Sequence, residues 1–432
     1  MRVTSIISEY NPFHEGHKYH MENTKKITKS DFTIVVLSGD FTQRGTPAII
    51  DKYARAKQAL LNGADLVLEL PVTFAASSAE GFSYGAVSIL NKLGVVDSLV
   101  FGSECGDIDC IKKVADYLTD ESPEYRERLQ FYLKQGLSFP KARAKTLHEI
   151  FSELDNNFLS SSNNILGIEY CRALNHFNSS ITPMTITRKD NLYNDEELAE
   201  VGKLSSATAI RKTLLDSFQA DYESILFKFN KQTSCDTYKL FDIVASYIPK
   251  DSLNILKENW EISAPICSDD LSLLLKYKLL LESRKSLVKY LDITSDLADR
   301  IYNNLNDYKD FDSFCDLLKT KELTYTRIAR SLLHIILDIK KSDYDSIKKE
   351  GYGQYARVLG FRKDASPLLR EIKDNSSIPL ISKLSDSVKE LDGVALSMLE
   401  KDIQAAHIYE SVVAEKFGDE FKNEFQRQLV IV

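Results

Sequence analysis

Residues 5–20 read SIISEYNPFHEGHKYH. An apolar run over 3–7 leads into this stretch, and a helix-like pattern over about 16–29 follows it. Its centre, His14-Glu15-Gly16-His17, is an H-x-G-H tetrad placed where a strand turns into a helix. With 7 His and 17 Gly in 432 residues, such a tetrad arises by chance in about 0.5 per cent of chains. A helix start gathers anions, because unpaired backbone N–H groups and the positive end of the helix dipole both face the ligand. Gly16 allows close backbone approach. His14 and His17 can donate hydrogen bonds to phosphate oxygens, more strongly when protonated. The pattern points to a nucleoside triphosphate site. The plain competing reading is two surface histidines at a helix start.

Outward from the tetrad, strand and helix signals alternate. Apolar runs at 3–8, 33–38 (TIVVLS), 65–70 (DLVLEL), 98–101 and 181–187 (ITPMTIT) are separated by helical patterns at 16–29, 51–62, 80–93, 107–118 and 162–174. The early runs are continuously apolar, as in strands buried on both faces. The alternation predicts an α/β, doubly wound parallel sheet with its ligand at the carboxyl ends of the strands. Beyond residue 214 the pattern changes to amphipathic helices, for example at 270–283, 323–338 and 388–400, with almost no strand signal. The expected architecture is a Rossmann-like domain at 1–218 followed by an all-α C-terminal domain at 219–432.

The chain is long enough for two cores, and its composition is that of a water-soluble protein. No apolar run reaches membrane-spanning length and no signal peptide is evident, so a cytoplasmic protein with no membrane partner is expected. Cys105, Cys110, Cys171, Cys235, Cys267 and Cys315 are scattered without zinc spacing, and no metal ligands are expected among the side chains. The net charge of −8, taken alone, argues mildly against a nucleic-acid partner. A local basic face would still suffice.

Further segments carry chemistry. Residues 37–51 (LSGDFTQRGTPAIID) offer Asp40, Gln43 and Arg44 at the sheet edge: Arg44 for a phosphate or acidic substrate, Asp40 to orient it or a metal. An ordinary polar loop is the alternative. In 101–107 (FGSECGD), Gly102 allows close approach of an adenine or ribose, or is a simple turn glycine. In 160–170 (SSSNNILGIEY), Asn163 and Asn164 can cap a helix or read a base edge. In 204–212 (LSSATAIRK), Ser205, Ser206 and Thr208 stand at a helix start with Arg211 one turn in, a second anion cradle. Two cradles suggest opposite ends of one triphosphate. Tyr325, Arg327, Arg330 and His334, then Tyr355, Arg357, Phe361, Arg362 and Lys363, mix bases with aromatics, a mixture that suits RNA. Packed tyrosines beside a solvated basic helix explain the same pattern.

The tetrad after the first strand, with SSATAIR after the last, resembles the H-x-G-H nucleotidylyltransferase superfamily, whose members attack an α-phosphate and release pyrophosphate. At closer range EYNPFHEGH (9–17), SGDFTQRGTPAIIDKYARA (38–56), SSSNNILGIEY and LSSATAIRK, in this order and before a long helical tail, resemble the tRNA(Met) cytidine acetate ligase family. The likeness covers the first half strongly, and the tail by layout and by YTRIARSLLH (325–334).

The resemblance implies a nucleotidyltransferase domain that uses ATP, with Mg2+ accompanying it, to activate acetate as acetyl-adenylate. The acetyl group then passes to the N4 amine of the wobble cytidine of elongator tRNA(Met). By the same resemblance, ATP would lie on Ile7, Ser8, Glu9, Tyr10, Asn11, Pro12, Phe13, His14, Glu15, Gly16, His17, Lys18, Tyr19 and His20. Gly102, Asn163 and Arg188 would complete that surface, and Ser205 and Arg211 would hold phosphate. His14, His17 and Arg211 are the implied catalytic groups, and the helical tail would present tRNA. Two other readings compete. One is a small-molecule nucleotidylyltransferase acting on a mononucleotide or phosphopantetheine, against which the long tail speaks. The other is a nucleotide-sensing scaffold.

Overall fold

The computed structural model describes residues 1–432 except 153, 156–157, 189–196, 201–202 and 228–235; over 220–227 and 236–239 it describes the backbone alone. Cys235 therefore lies outside the described residues. The other five cysteines are free.

Five strands form the parallel part of the sheet: β1 (Val3–Ser8), β2 (Phe32–Ser38), β3 (Leu66–Leu70), β4 (Ser98–Ser103) and β5 (Thr182–Thr187). Their spatial order is β5-β4-β1-β2-β3, and every adjacent pair runs parallel. The continuous apolar runs are explained by burial on both faces. Ile34 and Val36 pack into the core under the helices Ala79–Lys92, Ile108–Thr119 and Ser162–His176. Val35 and Leu37 pack into the opposite core, with Met21, Ala56, Ala59 and Leu60 of Glu15–Thr28 and Lys52–Leu61. The period-two alternation of a strand thus feeds two helix layers. The chain reverses its direction of sheet growth between β1 and β4, the position where doubly wound sheets open a ligand crevice. The tetrad leaves the end of β1 at that point.

The C-terminal half is mostly helical, and its two further cores also take in first-half residues such as Phe41 and Val72, or Ile49 and Ile210. It is not wholly helical. Strand β6 (Ala356–Phe361) adds antiparallel to β3, and β7 (Leu380–Ile381) and β8 (Val430–Ile431) both pair with β6. The run ARVLGF hides a strand because it carries Arg357, which is buried against acidic partners. Lys52 Nζ lies 2.6 Å from Glu424 and 2.8 Å from Glu69; Arg357 reaches the same two carboxylates at 2.6 and 2.9 Å. The expected junction after residue 218 falls inside the helix Ala207–Phe227.

Several residues weighed for RNA are tied internally instead. The Tyr325 hydroxyl donates to Asp312 at 2.5 Å, Arg330 pairs with Asp292 at 3.2 Å, and buried His334 joins the Ala76 and Leu291 carbonyls. Tyr355 and Arg357 are likewise buried. Among the described residues no helix is long and apolar enough to cross a membrane.

Candidate active site

The turn that presents the tetrad is built by its own sequence. Tyr10 takes a positive φ of 47°, the Asn11–Pro12 bond is cis, and Phe13 is buried beneath. His14 then caps the helix Glu15–Thr28. Its Nδ1 accepts the Gly16 N–H at 3.1 Å, while Nδ1 of His17 accepts the His14 N–H at 3.2 Å, a reciprocal capping box. Gly16 is needed for this: a Cβ there would sit 2.8 Å from His14 Cε1. The two rings stack with centroids 3.7 Å apart.

This geometry fixes the tautomer of each neutral ring. Each Nδ1 is occupied as an acceptor, so each neutral ring carries its proton on Nε2. Burial, with Arg188 and Arg211 nearby, lowers His14 from 6.5 to about 3. Burial, then His14 itself, holds His17 well below its ordinary value. Neighbouring His20 is lowered to about 4, chiefly by burial. The stronger donation that protonation would give is thus disfavoured near neutral pH in the free protein, where each ring offers a neutral Nε2–H.

The second cradle faces the first. Ser206 Oγ accepts the Ala209 N–H at 3.0 Å and caps the helix Ala207–Phe227. Arg211 donates to the Asn11 carbonyl at 2.5 Å and to Thr208 Oγ1 at 3.3 Å. Asn11 Oδ1 in turn accepts the Ile49 N–H at 2.8 Å. Three segments distant in sequence are thereby tied together at the sheet edge. Arg188 follows β5, its N–H bonded to the Ser103 carbonyl at 3.0 Å.

One pocket collects these groups. Of the sequence-derived candidates, Ile7, Ser8, Glu9, Tyr10, Asn11, His14, Gly16, His17, Tyr19, His20, Gly102, Asn163, Arg188, Ser205 and Arg211 line it; Pro12, Phe13, Glu15 and Lys18 do not. Phe13 is core, and the Glu15 N–H bonds the Tyr247 carbonyl at 2.8 Å. Gln43 and Arg44 line the pocket, and the Gln43 N–H donates to Glu9 Oε1 at 2.7 Å. Asp40 does not line it. Asp40 is buried, accepts the Lys52 N–H at 2.8 Å, and is raised to about 6, mainly by burial. Its role is to anchor the loop.

Leu166, Tyr170, Phe101 and Ile186, absent from the sequence-derived set, wall the end near Gly102 and Asn163. Spacings of three and seven from Asn163 were the available signal for two of them. Among the described residues no group of three or more His, Cys, Asp or Glu is arranged to hold a metal ion.

Comparison with known proteins agrees with this architecture. Residues 1–424 match the family described as HIGH Nucleotidyl Transferase. The tRNA(Met) cytidine acetate ligase of Clostridium perfringens is 42% identical over 426 residues, 95% of each chain. That of Acetivibrio thermocellus is 39% identical over 428 residues, 98% of each. The apo structure of Thermotoga maritima TmcAL superposes with a TM-score of 0.88 at 31% identity over 100% of both chains. The form bound with alpha-thio ATP gives 0.86 at 30% identity, over 100% of this chain and 99% of the other.

Proposed function

The chain belongs to the tRNA(Met) cytidine acetate ligase family of HIGH nucleotidyl transferases, and on that premise we propose that it uses ATP and acetate to acetylate the N4 amine of the wobble cytidine of elongator tRNA(Met). The observation that carries the reading is the joining of both anion cradles in one pocket through the Arg211–Asn11 bond. The triphosphate lies between the tetrad and the start of the helix Ala207–Phe227, and the base lies toward Gly102 and Asn163.

An acetate oxygen attacks the α-phosphorus, the bond to the bridging oxygen breaks, and pyrophosphate leaves. His14 and His17 donate Nε2–H bonds to phosphate oxygens. Arg188 and Arg211 neutralise the charge that grows there, and Ser205 holds phosphate. The cytidine amine then attacks the acetyl carbonyl and AMP departs, a step in which positioning carries most of the acceleration. The side chains at the phosphate end are mainly imidazole and guanidinium, so a Mg2+ accompanying ATP would be held by phosphate oxygens and water rather than by protein ligands, and would supply charge neutralisation there. Residues 1–218 carry the ATP chemistry, 219–432 present the tRNA, and the protein acts in the cytoplasm.

The test is incubation of the protein with ATP, carbon-13 acetate and tRNA(Met), followed by mass spectrometry of the nucleosides. Labelled N4-acetylcytidine, with AMP and pyrophosphate, is the expected outcome. Adenylyl transfer to a mononucleotide or to phosphopantetheine, or no turnover with any of these, would overturn the reading.

A further inference from the structure

The helix Ser162–His176 begins without a side-chain cap from its own flanking residue Ser161. The cap comes from Glu104, on the loop after β4. Glu104 Oε2 accepts the Asn164 N–H at 3.0 Å, and Oε1 accepts the Asn163 N–H at 3.4 Å and the Asn163 side-chain Nδ2 at 2.7 Å. Asn164 returns the contact: its Oδ1 accepts the N–H groups of Glu104 at 3.0 Å and Cys105 at 3.2 Å, while its Nδ2 donates to the Phe158 carbonyl at 3.1 Å. The loop and the helix start are therefore locked to each other.

The lock has a chemical consequence. An ionised carboxylate only accepts, so the Asn163 carboxamide is held one way round, with nitrogen toward Glu104. This orientation makes Oδ1 the acceptor that Asn163, a residue of the pocket wall, can present there. Asn163, Leu166 and Tyr170 share one helix face and line the pocket with Phe101, Gly102 and Ile186. Such apolar walls suit a flat base better than a sugar. An acceptor at the edge of a base slot takes an exocyclic amine and opposes a carbonyl oxygen.

We propose that Glu104 is a positioning residue that fixes the Asn163 carboxamide with Oδ1 toward the base, and so makes the pocket select 6-aminopurine over 6-oxopurine nucleotides. The inference rests on the ATP reading of the pocket. Glu104 touches no reacting atom and acts through Asn163. A glutamine at 104 can donate as well as accept, so it permits the flipped carboxamide, whose NH2 welcomes an oxo group.

The experiment is acetate-dependent ATP–pyrophosphate exchange by the full chain with ATP, inosine triphosphate, purine riboside triphosphate (which lacks the 6-amine) and 2′-deoxy-ATP. The wild type should prefer ATP to inosine triphosphate by about 100-fold or more in kcat/KM, because a mismatched polar group is left unpaired. Glu104→Gln should reduce that preference to about tenfold or less. Its effect should fall on KM, with kcat at saturating ATP within about threefold of wild type.

Asn163→Ala keeps both backbone N–H groups available to Glu104 and should also lose the preference; it decides the matter where Glu104→Gln does not fold. Equal losses with all nucleotides would overturn the proposal, since Glu104 would then only cap the helix. A penalty on 2′-deoxy-ATP that disappears in the variants would also overturn it, because the acceptor would then serve the ribose. Wild-type exchange that is blind to the 6-substituent overturns this inference alone. No wild-type exchange with any nucleotide overturns the ATP reading and this inference with it.

Discussion

The proton position on the neutral rings of His14 and His17 is dictated by the backbone. Each Nδ1 is filled by a main-chain N–H, so Nε2 must carry the hydrogen. Nitrogen-15 NMR of the imidazoles should show two Nε2–H tautomers that do not titrate between about pH 5 and 8; titration of either near 6.5 would refute the assignment. The linkage follows. With folded values depressed below 6.5, the unfolded chain takes up protons that the fold excludes, so their contribution to stability is intact above about pH 6.5 and declines as pH falls toward 3. Replacing His14 or His17 by Ala should cost roughly 10²–10³ in pyrophosphate exchange, the scale of one lost oxyanion-type donor, with folding retained. Wild-type rates in both variants would remove them from the chemistry. The residue types at this site were legible in the chain, because H-x-G-H at a strand end narrows the choices. Their protonation was not, since it depends on burial and on Arg188 and Arg211, far away in sequence. Glu104 was hidden for a similar reason: nothing local says that its carboxylate caps a helix some 60 residues on.

At the scale of elements, the loop from 39 to 51 joins the pocket to the helix Tyr325–Ile336. It turns at 42–46, where the Thr42 N–H bonds the Thr46 carbonyl at 3.0 Å, and Gly45 adopts a φ of +80° directly against that helix. A Cβ on Gly45 would lie 2.2 Å from the Arg330 backbone nitrogen. Gly45→Ala therefore adds left-handed strain to a clash with a helix backbone that cannot yield as a flexible side chain does. It should lower stability by more than about 2 kcal/mol in urea unfolding. It should also weaken ATP binding, because the same loop carries Gln43 and Arg44 into the pocket. An unchanged urea midpoint would show that the loop does not seat as described. The first five strands were readable from apolar runs, and β1 spans 3–8 as expected. Strand β6 was not readable, because a buried Arg357 breaks its apolar pattern and its partners Glu69 and Glu424 lie far off in sequence. The expected helix at 388–400 is really two, Leu384–Glu390 and Gly393–Phe417, parted at Leu391 and Asp392.

At the scale of the whole molecule, functional halves need not be folding halves. β6 covers the edge of β3, all five of whose residues are buried. Tyr352, Tyr355, Val358, Met398 and Leu399 share one apolar core with Leu66, Leu68, Phe74 and Leu90. Lys52 and Glu69 are matched from the far end of the chain by Glu424 and Arg357, and removing one partner of such a buried cluster typically costs about 3–5 kcal/mol. A domain's entire stability is of order 5–15 kcal/mol. A chain ending at residue 218 would lose β6, the apolar cover and both charge partners together, leaving the mainly apolar edge of β3 open to other copies. It should be recovered as aggregate, with no cooperative thermal transition and no ATP binding by calorimetry. Glu424→Gln in the full chain removes one charge while keeping every strand, and should stay soluble with a clearly lowered urea midpoint. A monomeric 1–218 fragment that unfolds cooperatively and binds ATP would show instead that the parallel sheet is autonomous and that the returning strand only decorates its edge.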